Sequence, residues 1–369
     1  MQRLRLLALL PLAFALSSCS AVVLNPSGDV AMQQRDLLLI ATGLMLIIII
    51  PVMVLTAVFA WKYRQGNLYA NYDPEWDHST KLELVIWAAP LLIIICLGAI
   101  TWLGTHLLDP YRKIDRIAAD RVVTGQEKPL EVEVAALDWK WLFIYPQYGI
   151  ATVNELAAPV DRPIEFKITA TSVMNSFFIP ALAGQIYAMP GMETQLHAVI
   201  NKPGVYDGFS ANYSGAGFSN MNFKFVGVDD KSFDDWIQKV KQQGTPLDMK
   251  RYNQLALPSE ASPVLYFTSY AKGLFDKIVN LCTKPGKMCM DQMMAIDMKG
   301  GAGLESQANR AKLTYDAHPI DGIELTEPPG ATVPASPRAP HTDHPESGEA
   351  PQPDAGKSSV APQQLNQGN

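Results

Sequence analysis

Two stretches of about 25 residues, Leu37 to Trp61 and Leu84 to Leu108, contain no Asp, Glu, Lys or Arg. As helices each would measure roughly 37 Å, against a hydrocarbon core of about 30 Å, so each is long enough to cross a membrane. The alternative, two core helices of a soluble protein, requires an unusual run of unbroken apolarity. Pro51 and Pro90 fall inside the stretches, where a neighbouring helix or local adjustment can satisfy the freed carbonyl. Trp61, Tyr63, Trp87 and Trp102 stand towards the ends, as interfacial anchors do. The short connection makes the pair a helical hairpin, spanning 37–61 and 84–108.

A third apolar block precedes the hairpin. Arg3 and Arg5 form a basic n-region and Leu6 to Leu16 a compact h-region. Leu16-Ser17-Ser18-Cys19 then resembles a bacterial lipobox, which implies cleavage of a signal peptide at 1–18 and lipidation of Cys19. The competing reading is an ordinary signal with a chance cysteine. The basic residues do not orient the hairpin: Lys62, Arg64 and Lys81 lie between the spans, and Arg112, Lys113, Arg116 and Arg121 follow the second. A lipidated N-terminus does, because it must lie outside. The loop is then cytoplasmic and everything after Leu108 is exported, in a bacterial inner membrane.

Beyond Leu108 the periodicity changes. Leu130-Glu-Val-Glu-Val-Ala, Ile164-Glu-Phe-Lys-Ile-Thr-Ala, Thr194-Gln-Leu-His-Ala-Val-Ile and Met221-Asn-Phe-Lys-Phe-Val-Gly-Val alternate as half-buried strands do. Asp161-Arg-Pro, Pro190-Gly and Lys202-Pro-Gly punctuate them, so 125–228 reads as a β-sandwich or small barrel. From 229 to 290 the pattern becomes helical, with Phe233, Trp236, Ile237 and Val240 on one stripe. An aromatic run follows, Tyr252, Tyr266, Phe267, Tyr270 and Phe275, either packing on the β-domain or forming a docking surface. Cys282 and Cys289 lie in an exported, oxidising segment where a local disulfide is plausible. Nine of the 27 prolines fall after Glu327 and no Phe, Trp or Tyr follows Tyr315, so 316–369 is a disordered tail by composition. A net charge of −6 argues against a nucleic-acid partner.

Cys19, the hairpin, Asp138-Trp-Lys-Trp, Val173-Met-Asn-Ser-Phe-Phe-Ile-Pro, Gln185-Ile-Tyr-Ala-Met-Pro-Gly-Met and Tyr213-Ser-Gly-Ala-Gly-Phe-Ser together resemble subunit 2 of bo-type ubiquinol oxidases. The resemblance covers roughly residues 1–290 and includes the aromatic segment at 252–280. It implies a two-helix transmembrane hairpin, an all-β cupredoxin-like exported domain and short C-terminal helices. The sister family, cytochrome c oxidase subunit 2, holds a dinuclear copper centre on a histidine, then Cys-x₃-Cys-x₃-His-x₂-Met, with a carbonyl between the cysteines. The matching positions here are Asn175, Ser210, Ser214, Phe218 and Met221, with Asn212 at the carbonyl position. Such copper needs soft thiolates and imidazoles, and only the methionine is present. His197, on an alternating strand, reads as a surface residue. The resemblance therefore implies a chain that binds no metal or redox cofactor. Haems and copper are expected in subunit 1, the partner that ubiquinol reaches within the lipid bilayer. Trp139 and Trp141 read as packing residues.

Glu83 opens the second span. From the residues alone it is a helix-start carboxylate favoured by the macrodipole; the resemblance implies that it stands at the proton-uptake mouth of subunit 1. Two other classes of function remain open from sequence. One is a copper-bearing cytochrome c oxidase subunit 2, opposed by the missing cysteines. The other is a stand-alone exported binding lipoprotein, which would need neither Glu83 nor the rim of a lost copper site.

Overall fold

The computed structural model describes residues 22–71, 73, 75–124, 128–296 and 298. Cys19, the 1–18 leader and the 316–369 tail lie outside the described residues. Helix α1 (Asp29–Lys62) and helix α2 (Thr80–Leu107) form the hairpin. Their most apolar windows are unburied within the chain, as surfaces meant for lipid or a partner helix are. The Leu37 side chain packs against Gly104, where an added Cβ would lie 3.0 Å from Leu37 Cδ2.

Helix α1 begins eight residues before the apolar stretch starts, and its first turns belong to the β-domain rather than to the span. Asp29 is buried and accepts bonds from Arg116 Nε at 2.9 Å and Nη2 at 3.1 Å, and from Gln33 Nε2 at 2.7 Å. The amides of Ser27 and Gly28 donate to the Ala181 carbonyl at 3.0 and 2.8 Å. A Cβ on Gly28 would stand 2.6 Å from the Leu182 carbonyl oxygen and 2.7 Å from that of Val199, so only glycine permits this approach.

After a short ribbon of β1 (Arg116–Ala118) and β2 (Arg121–Val122), the chain builds a sandwich. Its elements are β3 (Leu130–Leu137), β4 (Lys140–Tyr145), β5 (Ile150–Val153), β6 (Glu155–Pro159), β7 (Ile164–Ala170), β8 (Asn175–Phe178), β9 (Ile186–Ala188), β10 (Thr194–Ala198), β11 (Gly204–Ser210) and β12 (Asn222–Val228). Helix α3 (Asp230–Gln243), β13 (Thr245–Leu247), α4 (Met249–Leu255), β14 (Leu265–Tyr270), α5 (Leu274–Val279) and α6 (Met290–Ile296) complete the described chain. One sheet runs β10-β7-β3-β4-β5-β14-β13, the other β6-β12-β11-β8-β9. The alternating segments read from the sequence are β3, β7, β10 and β12. Between the sheets Phe177 stacks on Phe223 at 5.4 Å, with the Trp141 ring edge-on to both.

The segment 229–290 is not wholly helical. Leu265-Tyr-Phe-Thr-Ser-Tyr, rich in aromatics that suit a pleated surface, pairs antiparallel with β5 and covers what would be an open edge. Its Tyr266 hydroxyl and the Trp236 indole both donate to Glu155 Oε1 at 2.8 Å, tying β14 and α3 to β6. The aromatic run serves packing: Tyr252, Leu274, Phe275 and Ile278 cover Ala135, Leu137, Leu142 and Ile144 on the outer face of the larger sheet. Strand β4 is therefore buried on both faces, and the alternation of β3 stops at Ala135. Each large apolar side chain buried there contributes about 1.5–3 kcal/mol.

Glu133 shares that outer face of β3 and is pushed up to about 7 by burial first, then by Glu131; Lys167 opposes the rise, while Asp276 of α5 and Glu193 add to it. Lys167 is itself ion-paired with Glu131, and Tyr270 of β14 is raised by burial and by both glutamates. Glu165 flanks the cluster on β7, opposite Glu131. Folding holds a proton on Glu133 that the unfolded chain releases near its ordinary value of 4.5, so stability falls as pH rises from there through about 7 and then levels. Glu133→Gln should flatten that fall and raise the melting temperature of the detergent-solubilised chain more at mildly alkaline than at mildly acidic pH. Identical pH profiles for the two proteins would show that Glu133 does not couple to folding.

Candidate functional site

The six positions of the expected copper rim lie on three elements that meet at one end of the sandwich. Asn175 opens β8, Ser210 closes β11, and Asn212, Ser214, Phe218 and Met221 belong to the loop, with its 3₁₀ turn at Ala216–Asn220, that leads into β12. The fold thus gathers the positions as the sequence comparison implied. What they make is a hydrogen-bonded plug. Ser210 Oγ donates to Asn175 Oδ1 at 3.0 Å and lies 3.2 Å from the Asn212 carbonyl oxygen. Asn175 Nδ2 donates to the Val173 carbonyl at 3.1 Å, and Asn212 Nδ2 to that of Met174 at 3.2 Å. Ser214 Oγ contacts Met221 Sδ at 3.9 Å, and Phe218 turns its ring edge-on to Tyr213.

This donor set does not fit a thiolate-bridged copper pair. Hydroxyls and carboxamides are hard and neutral, Phe218 has no donor, and the buried polar atoms are already spent on one another. Among the described residues no group of three His, Cys, Asp or Glu side chains could hold a metal ion.

Trp139 sits against the plug. It occupies the left-handed region at φ 62° in the β3–β4 turn, and its indole donates to the Ser214 carbonyl at 3.0 Å. A Cβ on Gly217 would lie 2.4 Å from Trp139 Cδ2, so that glycine is what lets the ring lie on the loop. Trp141 is fully buried in the sandwich core. Lys140, between them, is a residue the sequence reading passed over. Its buried ammonium donates to the carbonyls of Asp138 at 3.1 Å and Leu257 at 2.7 Å, which ties the segment after α4 to the β3–β4 turn. Burial pulls Lys140 below the usual lysine range, partly countered by Asp138.

Glu83 lies in the first turn of α2, remote in sequence from the plug, and its Oε1 is 2.7 Å from Nδ1 of His78. Both side chains are substantially exposed. His78, five residues earlier in the loop, gave no periodic or motif signal. Cys282 and Cys289 form a disulfide with Cα atoms 4.7 Å apart, between α5 and α6. His197 requires a correction. It is not a surface residue: only 6% exposed, it donates its amide to the Pro110 carbonyl at 3.1 Å and places Nδ1 3.1 Å from the same oxygen. The chain leaving α2 returns across β10 and covers it, a fold-back that strand alternation cannot reveal.

Comparison with known proteins agrees with this geometry. Residues 147–228 match the family model for the cytochrome c oxidase subunit II periplasmic domain, and residues 241–286 match the COX aromatic rich motif. The cytochrome bo(3) ubiquinol oxidase subunit 2 of Pseudomonas putida is 50% identical over 278 residues, covering 75% of this chain and 86% of that one. The subunit of the same name from Pseudomonas aeruginosa is 45% identical over 322 residues, covering 87% and 91%. The quinol oxidase subunit 2 of Bacillus subtilis is 38% identical over 272 residues, covering 73% and 82%. With a cupredoxin-like domain on a hairpin and relatives this similar over most of its length, the chain belongs to the family of cytochrome bo(3) ubiquinol oxidase subunit 2.

Proposed function

We propose that this chain is the copper-free second subunit of a proton-pumping terminal ubiquinol oxidase in a bacterial inner membrane. The observation that carries the reading is the plug of Asn175, Ser210, Asn212 and Ser214, which fills the place of an electron-entry centre with closed hydrogen bonds. An oxidase fed by a soluble cytochrome needs such an exported centre. One fed by ubiquinol does not, because the quinol delivers electrons within the bilayer to subunit 1, whose haems and copper supply the redox chemistry that reduces oxygen to water. This chain binds no redox cofactor. Its unburied helical faces pack on subunit 1, its β-domain caps the periplasmic side, and lipidated Cys19 adds a second attachment.

Glu83, at the cytoplasmic end of α2, contributes to the proton-uptake entrance of subunit 1. A carboxylate paired with an imidazole at 2.7 Å can exchange a proton with water and with its neighbour. Ionisable groups at membrane depth are commonly functional.

Three measurements test these assignments. The assembled oxidase should give no mixed-valence dinuclear copper signal in electron paramagnetic resonance. Asn175→His, Ser210→Cys, Asn212→Glu, Ser214→Cys and Phe218→His together should create one around the retained Met221. Stoichiometric copper on the unmodified exported domain would overturn the copper-free reading.

Quinol-driven oxygen uptake per haem should slow several-fold in Glu83→Gln and much less in Glu83→Asp, with unchanged assembly. If Glu83 only favours the helix start, Glu83→Gln shifts stability by about 0.3–1 kcal/mol, Glu83→Asp, which keeps the charge, by less, and both leave turnover alone.

Mass spectrometry of the mature chain should find an acylated N-terminal Cys19. In Cys19→Ala the acyl mass should disappear while the spans keep the protein in the membrane, since a spanning helix outlasts a lipid anchor. An unacylated mature chain that retains residues before Cys19 would refute the lipobox.

A further inference from the structure

A cavity of about 290 Å³ lies in the elbow where the start of α1, the end of α2, the 109–116 connection and β10 meet. That volume is at the lower end of the range of small-molecule sites, about 300–1,000 Å³. Leu107 and Leu108, which close the second apolar span, form part of its wall. The cavity therefore opens at the boundary between hydrocarbon and water, the depth of lipid headgroups.

Its charges are sorted. Of the lining ionic side chains, Asp29 is paired with Arg116 and Asp115 with Arg112, at 2.9 and 2.7 Å. Two remain: among the described residues neither Lys113 nor Asp109 has an ion-pair partner, and Asp109 Oδ1 accepts only the Tyr111 amide, at 2.9 Å. One free cation and one free carboxylate, four residues apart, match a ligand that carries one anionic and one cationic group.

His197 supplies the independent sign. It lines the same cavity, and among the described residues its buried Nε2 has no hydrogen-bond partner. A carbonyl can only accept, so the Pro110 oxygen 3.1 Å from Nδ1 places the ring proton there and leaves Nε2 as a lone-pair acceptor. Leaving such an atom buried and unpaired costs about 1–3 kcal/mol, which an N–H donor in the cavity would recover.

We infer that this elbow cavity binds the headgroup of a phospholipid carrying a primary ammonium, its phosphate on Lys113 and its ammonium directed to Asp109 and His197. The apolar rim commits the site to a lipid over a soluble phosphate ester, and the acceptor pair favours an ammonium with N–H groups over a quaternary one.

The test is native mass spectrometry of the delipidated full chain in detergent. It is titrated with dioleoyl phosphatidylethanolamine, dioleoyl phosphatidylcholine, dioleoyl phosphatidylglycerol or soluble phosphoethanolamine. Phosphatidylethanolamine should occupy one site at least about ten-fold more tightly than the other two lipids, an increment of one charge-assisted bond. Asp109→Asn should abolish that preference, Lys113→Ala should weaken all three lipids alike, and Lys113→Arg should retain their binding. The imidazole ¹⁵N resonance of His197 in the unsubstituted chain should shift on addition of phosphatidylethanolamine alone, a readout that needs no variant. Equal occupancy by the three lipids, equal binding by chains with and without Lys113 and Asp109, or phosphoethanolamine binding as tightly as the lipid would each overturn the site.

Discussion

The attachment of the membrane hairpin to the β-domain is organised around a buried ion pair, between Asp29 and Arg116. A carboxylate buried this deeply is tolerable only when its lone pairs are met, and here a guanidinium and the Gln33 amide meet them. Around it Gly28 lets the backbone of α1 come within bonding distance of Ala181, and the connection from α2 folds back over His197. Both helices are thereby held at their exported ends. Helix packing alone would not supply this anchorage, since lipid and leucine are equally apolar and nothing drives the two helices together as it would in water.

The plug shows how hydrogen bonds alone can hold one end of a sandwich. Loops that meet there would otherwise carry unsatisfied polar groups. In this chain they are tied by a serine to an asparagine, an asparagine to a backbone carbonyl, and an indole to the Ser214 carbonyl. Such bonds are each worth only about 0.5–1.5 kcal/mol net, but they avoid the larger cost of buried unpaired groups. The loop keeps its shape as part of a surface.

Much of the architecture was legible because local period and burial coincide. The spans, β3, β7, β10 and β12 and the amphipathic α3 follow from the spacing of apolar residues. The gathering of Asn175 with Ser210 and Met221 was legible only through family resemblance, since nothing in their spacing announces a site. What escaped was set by distant partners. Asp29 and Arg116 are 87 positions apart, and a lone aspartate before an apolar run reads as an ordinary helix start. His197 looked solvent-facing because alternation reports which face a residue occupies, not what lies across it. Strand β14 was hidden for the opposite reason: its aromatics match a packed helix as well as a strand, and only the free edge of β5 decides between them.

That edge has a consequence for how the molecule comes into being. β5 ends at Val153 and its partner β14 begins at Leu265. A chain emerging from its N-terminal side exposes the backbone of β5 for more than a hundred residues before the covering strand arrives. The sandwich can collapse in that interval, but its larger sheet presents a ready template for pairing with another nascent chain. The aromatic segment therefore acts as a late seal on that edge. A ribosome or translocase that stalls short of Leu265 would release a product with two anchored helices, a nearly complete core and an adhesive rim, a substrate for quality control rather than for assembly.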